Sequence, residues 1–317
     1  MNAERDPNGS DHTEAAVSVR GLSRSFGNDV AVAELTFDVD HGELFGIVGP
    51  DGAGKTTTLR MLAGVLRPSG GEAWIGGAEV GRDPEAVKPH IAYMAQRFGL
   101  YEDLTVRENL DFYADLYRVP RSDRPARLQR LSEFSRLGEF EDRLAGNLSG
   151  GMKQKLSLSC CLIHEPEVLL LDEPTFGVDP ISRRELWLIL HEMVGRGVTV
   201  IVSTSYMDEA ERCDRVVLLD EGITVALDDP RALQQSLEGT MLALRSRDPR
   251  RARDVLKSVD GVLSASLFGD AVHALVSTGA SESAWRDALT SAGVELWDVE
   301  TIEPSLEDVF IHRVGHG

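Results

Sequence analysis

The residues Gly49-Pro50-Asp51-Gly52-Ala53-Gly54-Lys55-Thr56 match the P-loop pattern G-x4-G-K-[ST], and their neighbours constrain the fold further. The apolar run from Leu44 to Val48 precedes them, and a stretch with Leu59, Leu62 and Leu66 at helical spacing follows. A fully apolar strand feeding a glycine-rich turn and then a helix is a building unit of a buried parallel sheet. The glycines let backbone N–H groups converge on phosphate oxygens, and the helix directs its positive end at them. In that setting Lys55 neutralises the outer phosphates and the Thr56 hydroxyl ligates Mg²⁺.

The rest of the chain fits an α/β reading. From Val17 to about Ala226, β-rich runs alternate with helical stretches. Two further apolar runs, Val168 to Leu171 and Val198 to Ser203, read as central strands whose carboxyl ends face a ligand edge. Between Glu102 and Asn147 the texture turns helical. Thr105 and Glu108 form a capping-box pattern, Val106, Leu110, Tyr113 and Tyr117 repeat behind it, and a Pro- and Arg-rich break leads to Leu128, Leu131 and Phe134. The last ninety residues read strand, helix, two strands turning at Gly269-Asp270, helix, strand, then a helix capped by Ser305. That order, βαββαβ, predicts a small ferredoxin-like domain. The expected division is a polar tail over 1–15, a domain over 16–230 with a helical insertion at about 97–165, and an accessory domain over 231–317.

Two more motifs carry chemistry. The strand ending Leu169-Leu170-Leu171-Asp172-Glu173 is a Walker B arrangement: Asp172 is placed to hold Mg²⁺ through water, and Glu173 to take a proton from the water attacking a γ-phosphate. Leu148-Ser149-Gly150-Gly151-Met152 opens a predicted helix, which makes a second anion-binding N-terminus. One nucleotide cannot readily use both glycine-rich sites of one chain, whereas two chains can share them.

With these motifs in order, the sequence over residues 16–230 resembles the nucleotide-binding subunit of an ABC transporter. The resemblance implies a P-loop NTPase fold of ABC type with an antiparallel β subdomain. It implies ATP and Mg²⁺ as ligands and a head-to-tail dimer. Two ATP molecules lie in that dimer, each between Gly49, Asp51, Gly52, Ala53, Gly54, Lys55, Thr56 and Thr57 of one chain and Ser149, Gly150 and Gly151 of the other. It makes Phe26 the aromatic stacked on adenine, Gln96 the Q-loop residue near the metal and catalytic water, and Asp179 the D-loop carboxylate. The run Pro304-Ser305-Leu306-Glu307-Asp308-Val309-Phe310 resembles the last helix of ABC-2-type exporter ATPases, which implies export of drug-like or lipid-like compounds through a separate membrane permease. A role for that domain only in stabilising the dimer is the other reading.

The sequence departs from the family at two places. Where the family has Ser-Thr-His after the strand Val198 to Val202, this chain has Ser203-Thr204-Ser205, and a hydroxyl lacks the reach and charge of imidazole. Slow basal hydrolysis that depends on Glu173, or a site completed by a partner chain, follows as an expectation. Asp51 stands where many relatives have Asn, and is expected to turn away from the nucleotide.

Charge and cysteine content bound the alternatives. Thirty-three basic against 52 acidic residues give -19, spread as -3 over residues 1–15, -10 over 16–227 and -6 over 228–317. Such a surface disfavours nucleic-acid binding and with it a translation or DNA-repair ABC ATPase. Distant charge is screened over about 8–10 Å, so a local MgATP site survives it. Cys160, Cys161 and Cys213 have no metal-like spacing and read as small packed hydrophobes of a reducing cytosol. Residues 1–15 lack the apolar core of a signal peptide, and no apolar run approaches the ~20 residues of a spanning helix. The chain is therefore expected on the inner face of the membrane through its permease, as a homodimer. A regulatory subunit that hardly turns over is the rival motivated by Ser205.

Overall fold

The computed structural model describes residues 15–97 and 99–315, so the polar tail expected over 1–15 lies, except for its last residue, outside the described residues. The chain divides into two compact units. One comprises residues up to 206 together with 219–224, and the other comprises 207–218 and 225–317.

The first unit opens with the antiparallel sheet that the resemblance implies. Its order is Asp29–Val39, Val17–Phe26, Gly70–Ile75, Ala78–Glu79, with Val17 opposite both Val39 and Ile75. Behind it, the apolar runs form neighbouring parallel strands in the order Ile91–Met94, Val168–Asp172, Thr199–Thr204, Leu44–Val48. Every residue of the last three is buried, which is why they read as continuous rather than alternating hydrophobic runs. Register then sets the functional edge. Val48 pairs with Thr204, Asp172 with Ser203 and Met94 with Leu171, so Gly49, Glu173, Ser205 and Gln96 all leave the sheet at one level.

The helical insertion consists chiefly of Val106–Leu116, Arg124–Ser135 and Gly150–Leu162. Thr105 and Glu108 close the predicted capping box. Asn109, fully buried one turn later, binds the backbone of Tyr101, Leu104 and Thr105 and so pins the loop entering the helix. Truncating it would strand several buried backbone groups, at about 1–3 kcal/mol for each one left unpaired.

In the second unit the strands Thr240–Ser246, Val262–Phe268, Ala271–Val276 and Leu296–Thr301 alternate with the helices Pro249–Leu256 and Glu282–Ser291 in the predicted βαββαβ order. The sheet order is second, third, first, fourth, with every neighbouring pair antiparallel, which is the ferredoxin-like topology. Leu244, Leu256, Val272, Trp285 and Leu289 fill its core. The distinctive Pro304–Phe310 run has a local explanation. Ser305 and Asp308 cap the helix Leu306–Val314 reciprocally, Leu306 and Val309 are buried, and Asp308 Oδ1 lies 3.0 Å from His273 Nδ1.

All three cysteines are buried and none is in a disulfide, and burial pushes the thiols of Cys160 and Cys161 up, away from reactivity. Among the described residues no helix is long and apolar enough to cross a membrane.

Candidate functional site

Two glycines of the P-loop admit no other residue. A Cβ on Gly49 would stand 2.2 Å from the Leu219 carbonyl oxygen. Gly54, at φ +97°, would meet the Ala31 carbonyl at 2.5 Å, and it caps the helix Lys55–Leu62 with no side-chain hydrogen bond. The first-turn amides of that helix therefore stay available to an anion.

Lys55, 4% exposed, is held from several sides. Its Nζ donates to the carbonyls of Gly49 (2.8 Å) and Pro50 (3.0 Å) and to Ser205 Oγ (3.0 Å), and pairs with Glu173 Oε1 at 3.2 Å. Asp172, 1% exposed, accepts from Thr56 Oγ1 (2.8 Å) and Ser203 Oγ (3.0 Å) on Oδ1, and from Tyr93 OH (3.3 Å) on Oδ2. Burial first, and then the Asp172 charge, push Tyr93 up to about 12, so its hydroxyl remains a donor.

Glu173 sits at φ +48°, a left-handed conformation that costs a non-glycine residue about 1–2 kcal/mol. Its own amide offsets this by donating to Ser203 Oγ at 3.0 Å. The turn aims the carboxylate across the edge of the sheet, where Ser205 Oγ donates to Oε1 and Gln96 Nε2 to Oε2, each at 2.9 Å.

Lys55, Thr56, Glu173 and Gln96 border a cleft of about 340 Å³ whose wall also includes Asp51, Gly52 and Thr57, while Asp172, Ser203 and Ser205 stand one hydrogen bond behind it. Asp51, expected to turn away, faces this cleft, and its Oδ1 lies 3.4 Å from Ser205 Oγ. Ala53 is buried in the turn behind it. Phe26 does not line the cleft. It is 48% exposed, with the Arg24 guanidinium 4.6 Å from its ring centroid, which leaves a face of the ring open.

The donor set suits a small hard cation. Thr56 and Asp172 offer a hydroxyl and a carboxylate 2.8 Å apart, with the Gln96 amide at the same cleft. Among the described residues no group of three or more His, Cys, Asp or Glu could hold a metal ion.

Ser149, Gly150, Gly151 and Asp179 do not border this cleft. Ser149 caps the helix Gly150–Leu162, accepting from Met152 N at 3.3 Å, and both Ser149 and Gly150 are exposed. Gly151 is buried so tightly that a Cβ would stand 2.3 Å from Ser182. Ser182 belongs to the helix Pro180–Gly195, whose cap is Asp179, accepting from the amides of Ile181 (3.1 Å) and Ser182 (3.0 Å). Hydrogen bonds from Ser182 hold the Asp179 carboxyl below the usual range.

Sequence reasoning missed Ser203, Tyr93, Ala31 and Phe176. Ser203 is visible in hindsight, because it ends the strand that pairs with Walker B. Phe176, 59% exposed at the cleft wall, had a signal in its place between Glu173 and the D-loop. Tyr93 and Ala31 had none.

The family model described as ABC transporter matches residues 32–176. Over 310 residues the chain is 44% identical to "Probable multidrug ABC transporter ATP-binding protein YbhF" of Escherichia coli (strain K12), a match covering 95% of this chain and 52% of that protein. The chain thus spans about half the length of that relative. It is 35% identical over 309 residues to "Daunorubicin resistance ATP-binding protein DrrA2" of Streptomyces coeruleorubidus, covering 95% of each. Among solved structures, "Structure of ATP binding subunit of ABC transporter" aligns with a TM-score of 0.63 and 31% identity, over 69% of this chain and 92% of that one.

Proposed function

This chain belongs to the ABC transporter family of ATP-binding proteins, and from that premise we propose that it binds and hydrolyses ATP to power an ABC-2-type membrane exporter. It works as a homodimer on a separate permease at the cytoplasmic face of the membrane and does not act on nucleic acid. One observation carries the reading. Lys55, Thr56, Glu173 and Gln96 line one cleft, with Asp172 and Ser205 hydrogen-bonded to them from behind, while Ser149–Gly151 and Asp179 lie outside it. A nucleotide held in that cleft is completed by the second helix end of another copy.

In this reading the P-loop amides and Lys55 bind the β- and γ-phosphates, and the γ-phosphate exchanges the Lys55–Glu173 ion pair for its own. Glu173 then accepts a proton from the water attacking the γ-phosphorus, as the bond from that phosphorus to the bridging oxygen breaks. Gln96 and Ser205 orient the carboxylate and that water. Mg²⁺, held by Thr56, by Asp172 through water and by the Gln96 amide, would supply neutralisation of the phosphate charge. Phe26 carries the adenine. The 16–230 segment is the ATPase and 231–317 its accessory domain. The export direction is supported by the names of the relatives, which speak of multidrug transport and daunorubicin resistance, and by the Pro304–Phe310 run.

Ser205 favours slow turnover, and with it a second reading as a weakly hydrolysing regulatory subunit. It reaches Glu173 and Lys55 but brings no positive charge to the γ-phosphate. ATPase assays with and without a co-expressed permease separate the two. The expected outcome is a slow rate that the permease stimulates and that Glu173→Gln lowers about 10²–10⁴-fold. Indistinguishable rates in wild type and Glu173→Gln would sink the catalytic reading.

A further inference from the structure

The cap Ser149 and the cap Asp179 begin two helices that touch twice. Their first turns meet where Gly151 packs against Ser182, close enough that a single added carbon would clash at 2.3 Å. About one turn further along, six residues after each cap, Lys155 of one helix is hydrogen-bonded and ion-paired to Glu185 of the other. Lys155 is only 9% exposed, so its charge is taken out of water for the sake of this contact. Arg136 adds a looser hold on the same carboxylate at 3.8 Å.

Glu185 is 34% exposed, so the pair is half-buried and a poor source of stability, since desolvating Lys155 takes back part of the attraction. What it supplies is geometry, because a charge removed from water tolerates few arrangements of its partner. We propose that Lys155 and Glu185 are positioning residues that lock the Ser149–Gly151 turn and the Asp179 turn into one rigid edge. The edge is thereby presented to a second copy's nucleotide in a fixed orientation. Neither residue touches that nucleotide; both act through the caps six residues upstream. With two contacts spaced along parallel helices, the caps cannot rotate apart without breaking the ion pair or driving Gly151 into Ser182. The inference rests on the dimer reading above.

The test uses the full chain carrying Glu173→Gln, so that bound ATP is not consumed. Sedimentation measures the dimer dissociation constant with MgATP, and a fluorescent ATP analogue at low protein concentration measures binding to the single chain. Lys155→Met and Glu185→Gln are each expected to weaken the dimer about tenfold while leaving single-chain binding within about twofold. Exchanging the charges, Lys155→Glu with Glu185→Lys, recovers most of the loss. Glu185→Gln keeps the shape and the acceptor, so it carries the comparison if Lys155→Met does not fold. A Glu185→Gln dimer as tight as its parent overturns the proposal, as does a parallel fall in single-chain binding, which marks a merely structural pair. If the parent itself forms no ATP-dependent dimer, the dimer reading fails first and this proposal goes with it.

Discussion

The first unit presents two helix N-termini bordered by glycines, and they are built on opposite principles. At the P-loop the cap is Gly54, which has no side chain to close the helix end, and the amides behind it face a cleft edged by Lys55 and two carboxylates. At the signature turn the cap is Ser149, which satisfies Met152 of its own helix and stands exposed beside Gly150. An N-terminus without a side-chain cap and with walls around it is a binding site in its own right. One that is capped and open needs a second surface before it can enclose a charged ligand. In the proposed dimer, the walled end holds the nucleotide and the open end of the other copy closes over it.

The two ends are separated most directly by disabling each in a separate chain. Lys55→Met should abolish nucleotide binding by the single chain and lower hydrolysis about 10²–10³-fold, since Glu173 and the phosphates lose their counter-charge. Ser149→Arg should leave single-chain binding unchanged and lower hydrolysis comparably by blocking the shared site. A mixture of the two variants then contains dimers with one intact composite site, and hydrolysis should return in part. Mixed variants as inactive as either alone would show that the two ends do not serve a common nucleotide.

The sequence exposed the P-loop half more completely than the other half, for a physical reason. Gly49, Gly54, Lys55, Thr56, Asp172 and Glu173 are forced by local chemistry: a turn no Cβ can enter, a cation and two acids at strand tips. Ser203 and Tyr93 hold Asp172 through register between strands distant in sequence, which spacing along the chain does not encode. The βαββαβ part of the second unit was legible almost element by element, with the helices Pro249–Leu256 and Leu306–Val314 opened by the side-chain caps Asp248 and Ser305 and the hairpin turning at Gly269. Lys155 was illegible, since one Lys in a helix reads as a solvated residue until its partner from another helix is known. The same limit applies to Asp51, whose proximity to Ser205 no motif announces.

That proximity gives a second, smaller test of how complete the P-loop half is. Ser205 is the place where the cleft lacks the positive donor expected from the family, and Lys55 and Glu173 both turn to it instead. Ser205→His should raise the basal turnover about tenfold, the worth of one added charge-assisted hydrogen bond to the γ-phosphate. It should leave nucleotide affinity nearly unchanged. A turnover that stays the same or falls would mean that the hydroxyl, by bridging Lys55 and Glu173, already completes the site.

The smallest effect probes the far end of the signature helix, where His164 anchors it. The ring stacks on Tyr117 with centroids 4.0 Å apart, and Nε2 lies 3.0 Å from the Ile91 carbonyl, at the start of the edge strand of the parallel sheet. Burial lowers its pKa below the ordinary 6.5, partly opposed by the hydrogen bond to Ile91. The fold therefore favours the neutral ring, while the unfolded chain takes up a proton at the ordinary value. The resulting stabilisation is full above pH 6.5 and is lost as pH falls through the lower folded value. Wild type should lose more melting temperature between pH 7.5 and pH 5.5 than His164→Phe, which keeps the stack and cannot titrate. Parallel melting curves would show that the signature helix owes nothing to this anchor, and that its open end is held in place by Lys155 and Gly151 instead.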